Sequence, residues 1–164
     1  MNMKKQIISV LSGLAGAAAG AIAAAVSVRR AAQEALDRES FMSEKHLAMF
    51  LTMNRWLQMK QEGKNLADYL KEQNYRRIAI YGMSYMGERL LEELKGSEIS
   101  IAYGIDKNAG GICTDIETVT PKEELKEVDA VIVTSIYFID EITRDLSGKL
   151  SCPILSLEDI LYEL

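Results

Sequence analysis

Apolar residues along this chain follow two different periods, and the period changes repeatedly after residue 76. Two short apolar runs, Ile78–Tyr81 and Ile99–Ile105, have the length and composition of buried strands. Between them apolar residues recur at helical spacing, at Met86, Leu90, Leu91 and Leu94. The run from Val128 to Val133 has apolar residues on both faces, as in a strand covered on both sides of a sheet. Strands that alternate with helices predict an α/β fold with a parallel sheet.

The C-terminal third continues the alternation. A proline suits the first turn of a helix, so Pro121–Leu125 predicts a helix start. Further predicted elements are a helix at Ile139–Leu146, a strand at Pro153–Leu155 and a helix at Leu157–Tyr162. Only about 90 residues remain from Arg76 onward, which suffices for one half of a small doubly wound sheet and leaves no separate substrate domain.

A long helical pattern precedes this alternation and runs from Ala31 to about Gln61 without glycine or proline. Its apolar positions are spaced by three and four residues, at Met42, Met49, Phe50, Met53, Trp56 and Leu57. Leu47, Leu51 and Met59 widen this stripe beyond one face, and so broad an apolar surface is usually buried. Two kinds of burial are open: packing onto the globular body, and an oligomer interface built on adaptable methionines.

The first thirty residues contain an uncharged stretch, Ile7 to Val28, that has two lysines before it and two arginines after it. As a helix it would be about 33 Å long, which is enough to cross the hydrocarbon core of a bilayer. We predict an uncleaved membrane anchor here; a cleaved signal peptide and a water-soluble alanine helix are the alternatives. Gly16 and Gly20 form a G-x-x-x-G pattern that suits contact between helices.

These features predict three segments: an anchor helix at 1–30, a helical linker or interface at 31–74, and a nucleotide-binding domain at 75–164. Because the charges that flank the anchor are nearly balanced, they do not orient it. Reduced thiols and a nucleotide ligand belong to the cytosol, so we expect a single-pass protein of the cell membrane with a cytoplasmic C-terminal domain. The G-x-x-x-G pattern and the methionine-rich stripe predict a homo-oligomer joined through residues 1–60.

A glycine turn lies between the first predicted strand and the helix after it, and it comprises Gly82, Met83, Ser84, Tyr85, Met86 and Gly87. Its two glycines match the first and third positions of the G-x-G-x-x-G pattern of dinucleotide-binding units, and Ser84 stands at the second. Such a turn lets a phosphate approach the first amides of a helix, whose dipole favours negative charge. We therefore predict phosphate contacts from the amides of Ser84 to Gly87. The alternative is a tight turn without a ligand.

Asp106 ends the second apolar run, 24 positions after Gly82, and Lys107 follows it. An acid ~20 residues after the glycines binds the ribose in dinucleotide-binding folds. Thr134 and Ser135 follow the third strand, at the rim where ligands bind in open α/β sheets. We expect Asp106 to accept a hydrogen bond from a ribose hydroxyl, and Thr134 and Ser135 to line the opposite wall. An acid there disfavours a 2′-phosphate, so an NAD-like dinucleotide or a nucleotide sugar is the expected ligand.

A wider pattern extends around the glycine turn: Trp56-Leu57, Lys60, Gly63-Lys64, Leu66, Tyr69, Tyr75 and the run from Ile78 to Met83. In this pattern the chain from about residue 50 to residue 164 resembles small Rossmann-like domains of bacterial surface-polysaccharide and sugar-modification loci. The resemblance implies a Rossmann-like fold and a role in an envelope polysaccharide pathway, and it specifies no activity. Such domains commonly carry a second glycine where Ser84 stands.

Composition narrows the function classes. The net charge is −5 although residues 1–30 hold four cations and no acid, so the remaining chain is strongly acidic and no nucleic-acid partner is expected. The single histidine and the widely separated Cys113 and Cys152 do not have metal-ligand spacing. One Tyr-x-x-x-Lys match, Tyr103 to Lys107, lies on a predicted strand, and the sequence has no nucleophile or phosphate-loop motif.

The expected function is therefore a membrane-anchored, noncatalytic Rossmann-like module that binds a nucleotide, a nucleotide sugar or a protein partner. Two alternatives remain open. One is a subunit of an NAD-dependent oxidoreductase or sugar-modifying enzyme that is active only as an oligomer. The other is a structural membrane protein with a vestigial ligand site.

Overall fold

The computed structural model describes the backbone of residues 3–164 and the side chains of residues 24–164. The chain divides into two compact units, Met1–Lys45 and His46–Leu164, here the N-terminal and C-terminal units. Helix α1 spans Met3–Gln61, so its last part belongs to the C-terminal unit. The C-terminal unit thus includes residues 46–74, which form part of the predicted linker or interface segment.

The described residues contain no helix that is long and apolar enough to cross a membrane. The predicted anchor, Ile7 to Val28, lies for the most part outside the residues whose side chains are described.

The C-terminal unit contains a five-stranded parallel sheet in the order β3-β2-β1-β4-β5. Its strands are β1 (Arg77–Tyr81), β2 (Ser100–Ile105), β3 (Thr118–Val119), β4 (Ala130–Val133) and β5 (Ile154–Ser156). Its helices after α1 are α2 (Leu66–Glu72), α3 (Tyr85–Leu94), α4 (Ile139–Leu146) and α5 (Leu157–Glu163). The strand order is that of a doubly wound α/β sheet of the Rossmann-like kind. The predicted α/β class with a parallel sheet is confirmed. The sheet has five strands, whereas one half of a doubly wound sheet has three.

Helices cover both faces of the sheet because alternate residues of a strand point to opposite sides. Ile78 and Ile80 of β1 belong to one hydrophobic core, together with residues of α2, α3 and α5. Ala79 and Tyr81 of the same strand belong to a second core, together with residues of α4. The apolar composition of β1 and β4 follows from this burial on both faces.

The last part of α1 packs onto the first core through one face only. Trp56 and Met59 are buried there, and the indole nitrogen of Trp56 donates a hydrogen bond of 2.8 Å to Glu93. On the other face Leu47, Phe50 and Leu57 are exposed. The broad apolar stripe therefore has two parts. One part packs onto the globular body, which was one of the two kinds of burial left open by the sequence. The other part is exposed in the C-terminal unit.

One predicted element is wrong: residues 121–123 form a turn, and no helix begins at Pro121. The amide of Thr120 donates a 2.7 Å hydrogen bond to the carboxylate of Glu123, and the amide of Glu123 donates a 3.1 Å bond to the carbonyl of Thr120. These two bonds close the turn. The proline that suits the first turn of a helix suits a tight turn equally well.

Candidate functional site

The glycine turn joins β1 to α3 at the carboxyl edge of the sheet. Gly82 has φ +94°, a left-handed conformation that glycine adopts without strain. A Cβ atom at this position would overlap the hydroxyl of Ser135 and would lie 2.8 Å from the hydroxyl of Thr134. The loop after β4 therefore packs directly against the turn, and a larger residue would push the two apart.

Gly87, in the first turn of α3, has a different reason to be glycine. A Cβ atom here would overlap the carbonyl oxygen of Gly82, which is backbone and cannot rotate away. The third glycine of the motif thus lets α3 pack closely on the end of β1, as in dinucleotide-binding folds.

Asp106 follows β2 and binds the glycine turn itself. One of its carboxylate oxygens accepts a hydrogen bond of 2.9 Å from the amide of Met83, and the other accepts a bond of 2.8 Å from the amide of Asn108. The acid that the sequence assigned to a ribose therefore also holds the ends of β1 and β2 together. Each oxygen keeps a lone pair for a further donor.

Thr134 is buried and its hydroxyl is used within the protein. It donates to the carbonyl of Gly82 and lies 3.1 Å from the carbonyl of Tyr81. Its amide also donates to Tyr81, at 2.9 Å. Thr134 therefore stabilises the turn, and its hydroxyl does not line an open wall.

A cavity of about 230 Å³ opens beside the turn, on the side of the sheet that α4 covers. We call it the Tyr81 cavity. Its walls come from the ends of β1 and β2, from the loop after β4 and from α4, and they are Tyr81, Asp106, Lys107, Ser135, Phe138 and Ile142. Ligand pockets for drug-sized molecules usually measure roughly 300–1,000 Å³, so this cavity suits part of a ligand.

Tyr81 is only 4% exposed, yet its hydroxyl makes no hydrogen bond with any residue that the structure describes. The hydroxyl is also not sealed from solvent, because no fully buried side-chain oxygen among those residues lacks a partner. Buried tyrosine hydroxyls usually have a partner. A polar group without a partner, on a nearly buried residue that lines a cavity, is a position at which a ligand can complete a hydrogen bond.

The charges around the Tyr81 hydroxyl are mainly negative. Burial is the largest cause that raises the pKa of this phenol; the Lys107 ammonium lowers it, and Asp145, Asp106 and Glu141 raise it. Lys107, a wall residue of the cavity, pairs with Glu141 at 2.8 Å, which raises the pKa of the lysine and lowers that of the glutamate. In the walls of the cavity itself the charges balance, since Asp106 is the one acid and Lys107 the one cation, and such walls suit neutral hydroxyl-bearing or amine-bearing groups.

The structure brings together only some of the residues predicted to form the site. Asp106, Lys107 and Ser135 line the Tyr81 cavity. Met83 and Met86 are buried in the core, and Ser84 begins α3 without a side-chain cap. Tyr85 is 77% exposed and lines a different groove, between α1 and α3.

Three residues of the cavity were not predicted: Tyr81, Phe138 and Ile142. Tyr81 is the last residue of an apolar strand, a pattern that predicts a core position. A sequence signal for it exists, because a tyrosine at the carboxyl end of a strand has its polar group at the ligand-binding rim.

Comparison of the chain with protein-family models, with curated proteins and with solved structures gives no significant match.

Proposed function

We propose that the C-terminal unit is a noncatalytic module that binds the nucleoside part of a nucleotide or nucleotide sugar in the Tyr81 cavity. The observation that carries this proposal is the Tyr81 hydroxyl: the residue is nearly buried and lines the cavity, and its hydroxyl makes no hydrogen bond with any described residue. In a doubly wound sheet, ligands bind outside the carboxyl ends of the strands near the point where the strand order reverses. That point lies here between β1 and β4, next to the cavity.

The wall chemistry favours a nucleoside among small ligands. Asp106 can accept a bond from a ribose hydroxyl in addition to the two amides it already binds. Phe138 and Ile142 offer apolar surface, and the hydroxyls of Tyr81 and Ser135 offer hydrogen bonds to a base or sugar. Because Asp106 is negative, an NAD-like ligand is expected to bind better than one with a 2′-phosphate.

We assign binding and not catalysis to this cavity. Among the described residues, neither the Tyr81 nor the Ser135 hydroxyl makes a hydrogen bond to a general base. An activated nucleophile needs such a partner within about 3 Å. The runner-up function, an enzyme subunit active only as an oligomer, would require that base from another chain.

Titration calorimetry on the full chain tests the proposal, with adenosine, uridine, NAD, NADP and a nucleoside diphosphate sugar as ligands. Tyr81→Phe removes the hydroxyl that has no partner in the protein. The dissociation constant of the ligand should rise about fivefold, the effect of one neutral hydrogen bond. Tyr103→Phe is the matched control, since that hydroxyl donates to the carbonyl of Lys126 and is not part of the cavity wall. Binding that is equally strong in Tyr81→Phe, or no binding of any of these ligands, would contradict the proposal.

The assembly remains a prediction from the sequence, and one observation supports it. Leu47, Phe50 and Leu57, on the uncovered face of α1 in the C-terminal unit, are between 57% and 65% exposed. Light scattering should show a homo-oligomer for the full chain and a smaller species for Phe50→Glu with Leu57→Glu. Gln58→Glu adds a charge at an exposed position of the same helix and serves as control. A monomeric native chain would exclude this interface.

Membrane attachment and a role in an envelope polysaccharide pathway also remain proposals, supported by the sequence of residues 1–30 and by the resemblance of residues 50–164. Fractionation of cells that express the full chain tests the first. A chain found wholly in the soluble fraction would contradict it.

A further inference from the structure

We propose that a second, cationic cavity beside the Tyr81 cavity holds the phosphate groups of the ligand. This inference rests on the proposed function and deepens it, because it assigns the anionic half of the ligand to a place in the fold. The second cavity has a volume of about 610 Å³, and its walls are Lys107, Thr120, Pro121, Lys122, Asp145 and Lys149. We call it the lysine cavity.

The position of the lysine cavity follows from the topology. Lys107 follows β2, and residues 120–122 follow β3, so these walls lie at the carboxyl edge of the sheet. Asp145 lies at the end of α4, and Lys149 follows that helix. Lys107 lines both cavities, so a ligand seated against Tyr81 can reach the second cavity without leaving the protein surface.

The charges in the walls of the two cavities differ. The lysine cavity has three ammonium groups and one carboxylate in its walls. The walls of the Tyr81 cavity hold one carboxylate, Asp106, and one ammonium group, Lys107, so their charges balance. A molecule with a neutral half and an anionic half, such as a nucleoside phosphate, matches this pair of cavities in one orientation only.

Internal contacts hold two of the three lysines in place. The ammonium of Lys149 donates to the carbonyl of Pro121 and so joins the end of α4 to the turn after β3. The ammonium of Lys107 lies 2.8 Å from Glu141. Lys122 is exposed on the same turn, which Thr120 and Glu123 close. Because most of these walls are held in place, less side-chain freedom is lost when an anion binds.

The glycine turn is the competing place for the phosphates, and the structure makes it less favourable. The amide of Met83, the residue next to Gly82, is already bonded to the carboxylate of Asp106. That negative charge lies against the turn and repels a phosphate there. The amides of Ser84 to Gly87 retain the helix dipole of α3, so the two places are distinguished by experiment.

The test uses inorganic pyrophosphate as the probe and the full chain at low salt, with binding measured by calorimetry. Lys122→Gln and Lys149→Gln should each weaken pyrophosphate about tenfold, the effect of one charge-assisted hydrogen bond. Lys95→Gln removes a lysine at the end of α3, outside the lysine cavity, and should leave binding unchanged. Ser84→Asp adds a negative charge at the start of α3, where aspartate is a favoured cap, and should also leave binding unchanged.

Two results would overturn the inference. The first is that pyrophosphate does not bind to the native chain. The second is that Ser84→Asp abolishes binding while the lysine variants do not, which would place the phosphates on the glycine turn.

Adenosine and ADP, measured in the same way, separate this inference from the proposed function. We expect ADP to bind at least tenfold more tightly than adenosine, and Lys122→Gln should weaken ADP about tenfold while adenosine binding stays unchanged. If adenosine binds as well as ADP and Tyr81→Phe weakens both, the Tyr81 cavity stands and the lysine cavity fails. If pyrophosphate binding depends on the lysines but Tyr81→Phe leaves ADP unaffected, the lysine cavity stands and the nucleoside site fails.

Discussion

The glycine turn and the Tyr81 cavity lie side by side at the carboxyl edge of the sheet, and they are built in opposite ways. In the turn, Gly82 and Gly87 pack against neighbouring atoms, and the Met83 amide and the Thr134 hydroxyl have partners within the protein. In the cavity, a nearly buried hydroxyl has no partner among the described residues. Residues of a glycine motif can therefore serve mainly to build the fold, while the hydrogen-bonding groups that remain without a partner lie beside the motif.

The largest expected effect concerns close packing in the turn. Gly87→Ala places a methyl group against the carbonyl of Gly82 and should destabilise the protein by about 3 kcal/mol, because backbone cannot move aside as a side chain can. Gly110→Ala is the control: no atom lies within 4 Å of a Cβ there, so its free energy of unfolding should change by no more than about 0.5 kcal/mol. Urea denaturation measures both. Equal stability of the two variants would mean that the turn is not closely packed.

Asp106 should be the next most sensitive residue, because two backbone amides donate to its carboxylate. Asp106→Ala leaves both amides without this acceptor and should lower the free energy of unfolding by about 2 kcal/mol. Asp106→Asn keeps one acceptor oxygen and should lose less. A stable Asp106→Ala variant that loses ligand affinity would show that this residue serves the ligand alone.

The second core contains two tyrosines, one whose hydroxyl has a hydrogen-bond partner in the protein and one whose hydroxyl has none among the described residues. Tyr103→Phe removes a hydroxyl that donates a 2.7 Å bond to the carbonyl of Lys126, and it should cost about 1 kcal/mol of stability. Tyr81→Phe removes a hydroxyl without a protein partner and should change stability by less than about 0.5 kcal/mol. Thermal unfolding of both variants, without ligand, measures the difference. A Tyr81→Phe variant as unstable as Tyr103→Phe would mean that its hydroxyl is bonded inside the protein.

The smallest effect is on the dependence of stability on pH. Burial raises the pKa of Tyr81 above that of a free tyrosine, so the folded state holds the phenol proton more tightly than the unfolded state does. The resulting stability is present below about pH 10 and is lost as the pH rises through the folded pKa. Tyr81→Phe should therefore lose less stability above about pH 10 than the native chain. Identical curves for the two proteins would show that burial does not raise this pKa.

A substitution at Lys107 tests the pKa of the Tyr81 phenol in a second way. Its ammonium lowers the pKa of Tyr81 and partly opposes the effect of burial. Lys107→Gln should therefore raise the pKa of Tyr81 further, which tyrosinate absorbance detects in comparison with the same substitution in Tyr81→Phe. An unchanged titration would mean that the lysine does not face the phenol.

Much of the fold could be predicted because it depends on local pattern. Apolar runs and helical spacing located β1, α3, β2 and β4 to within a residue or two, and Gly82 marked the turn between strand and helix. The turn at residues 121–123 could not be predicted in the same way. Proline fits both a helix start and a tight turn, and the bond from Thr120 to Glu123 decided between them.

By itself the sequence determined the alternation of strands and helices, the acidic charge of the body, and the presence of Asp106 and Ser135 at strand ends. These properties depend on neighbours in the chain. Only the tertiary structure decided that Asp106 binds the amide of Met83, that Thr134 is used within the turn, and that Tyr81 opens into a cavity. The reason is that a hydrogen-bond partner and an empty space are set by residues far apart in sequence, which meet only when parallel strands pair and helices cover them.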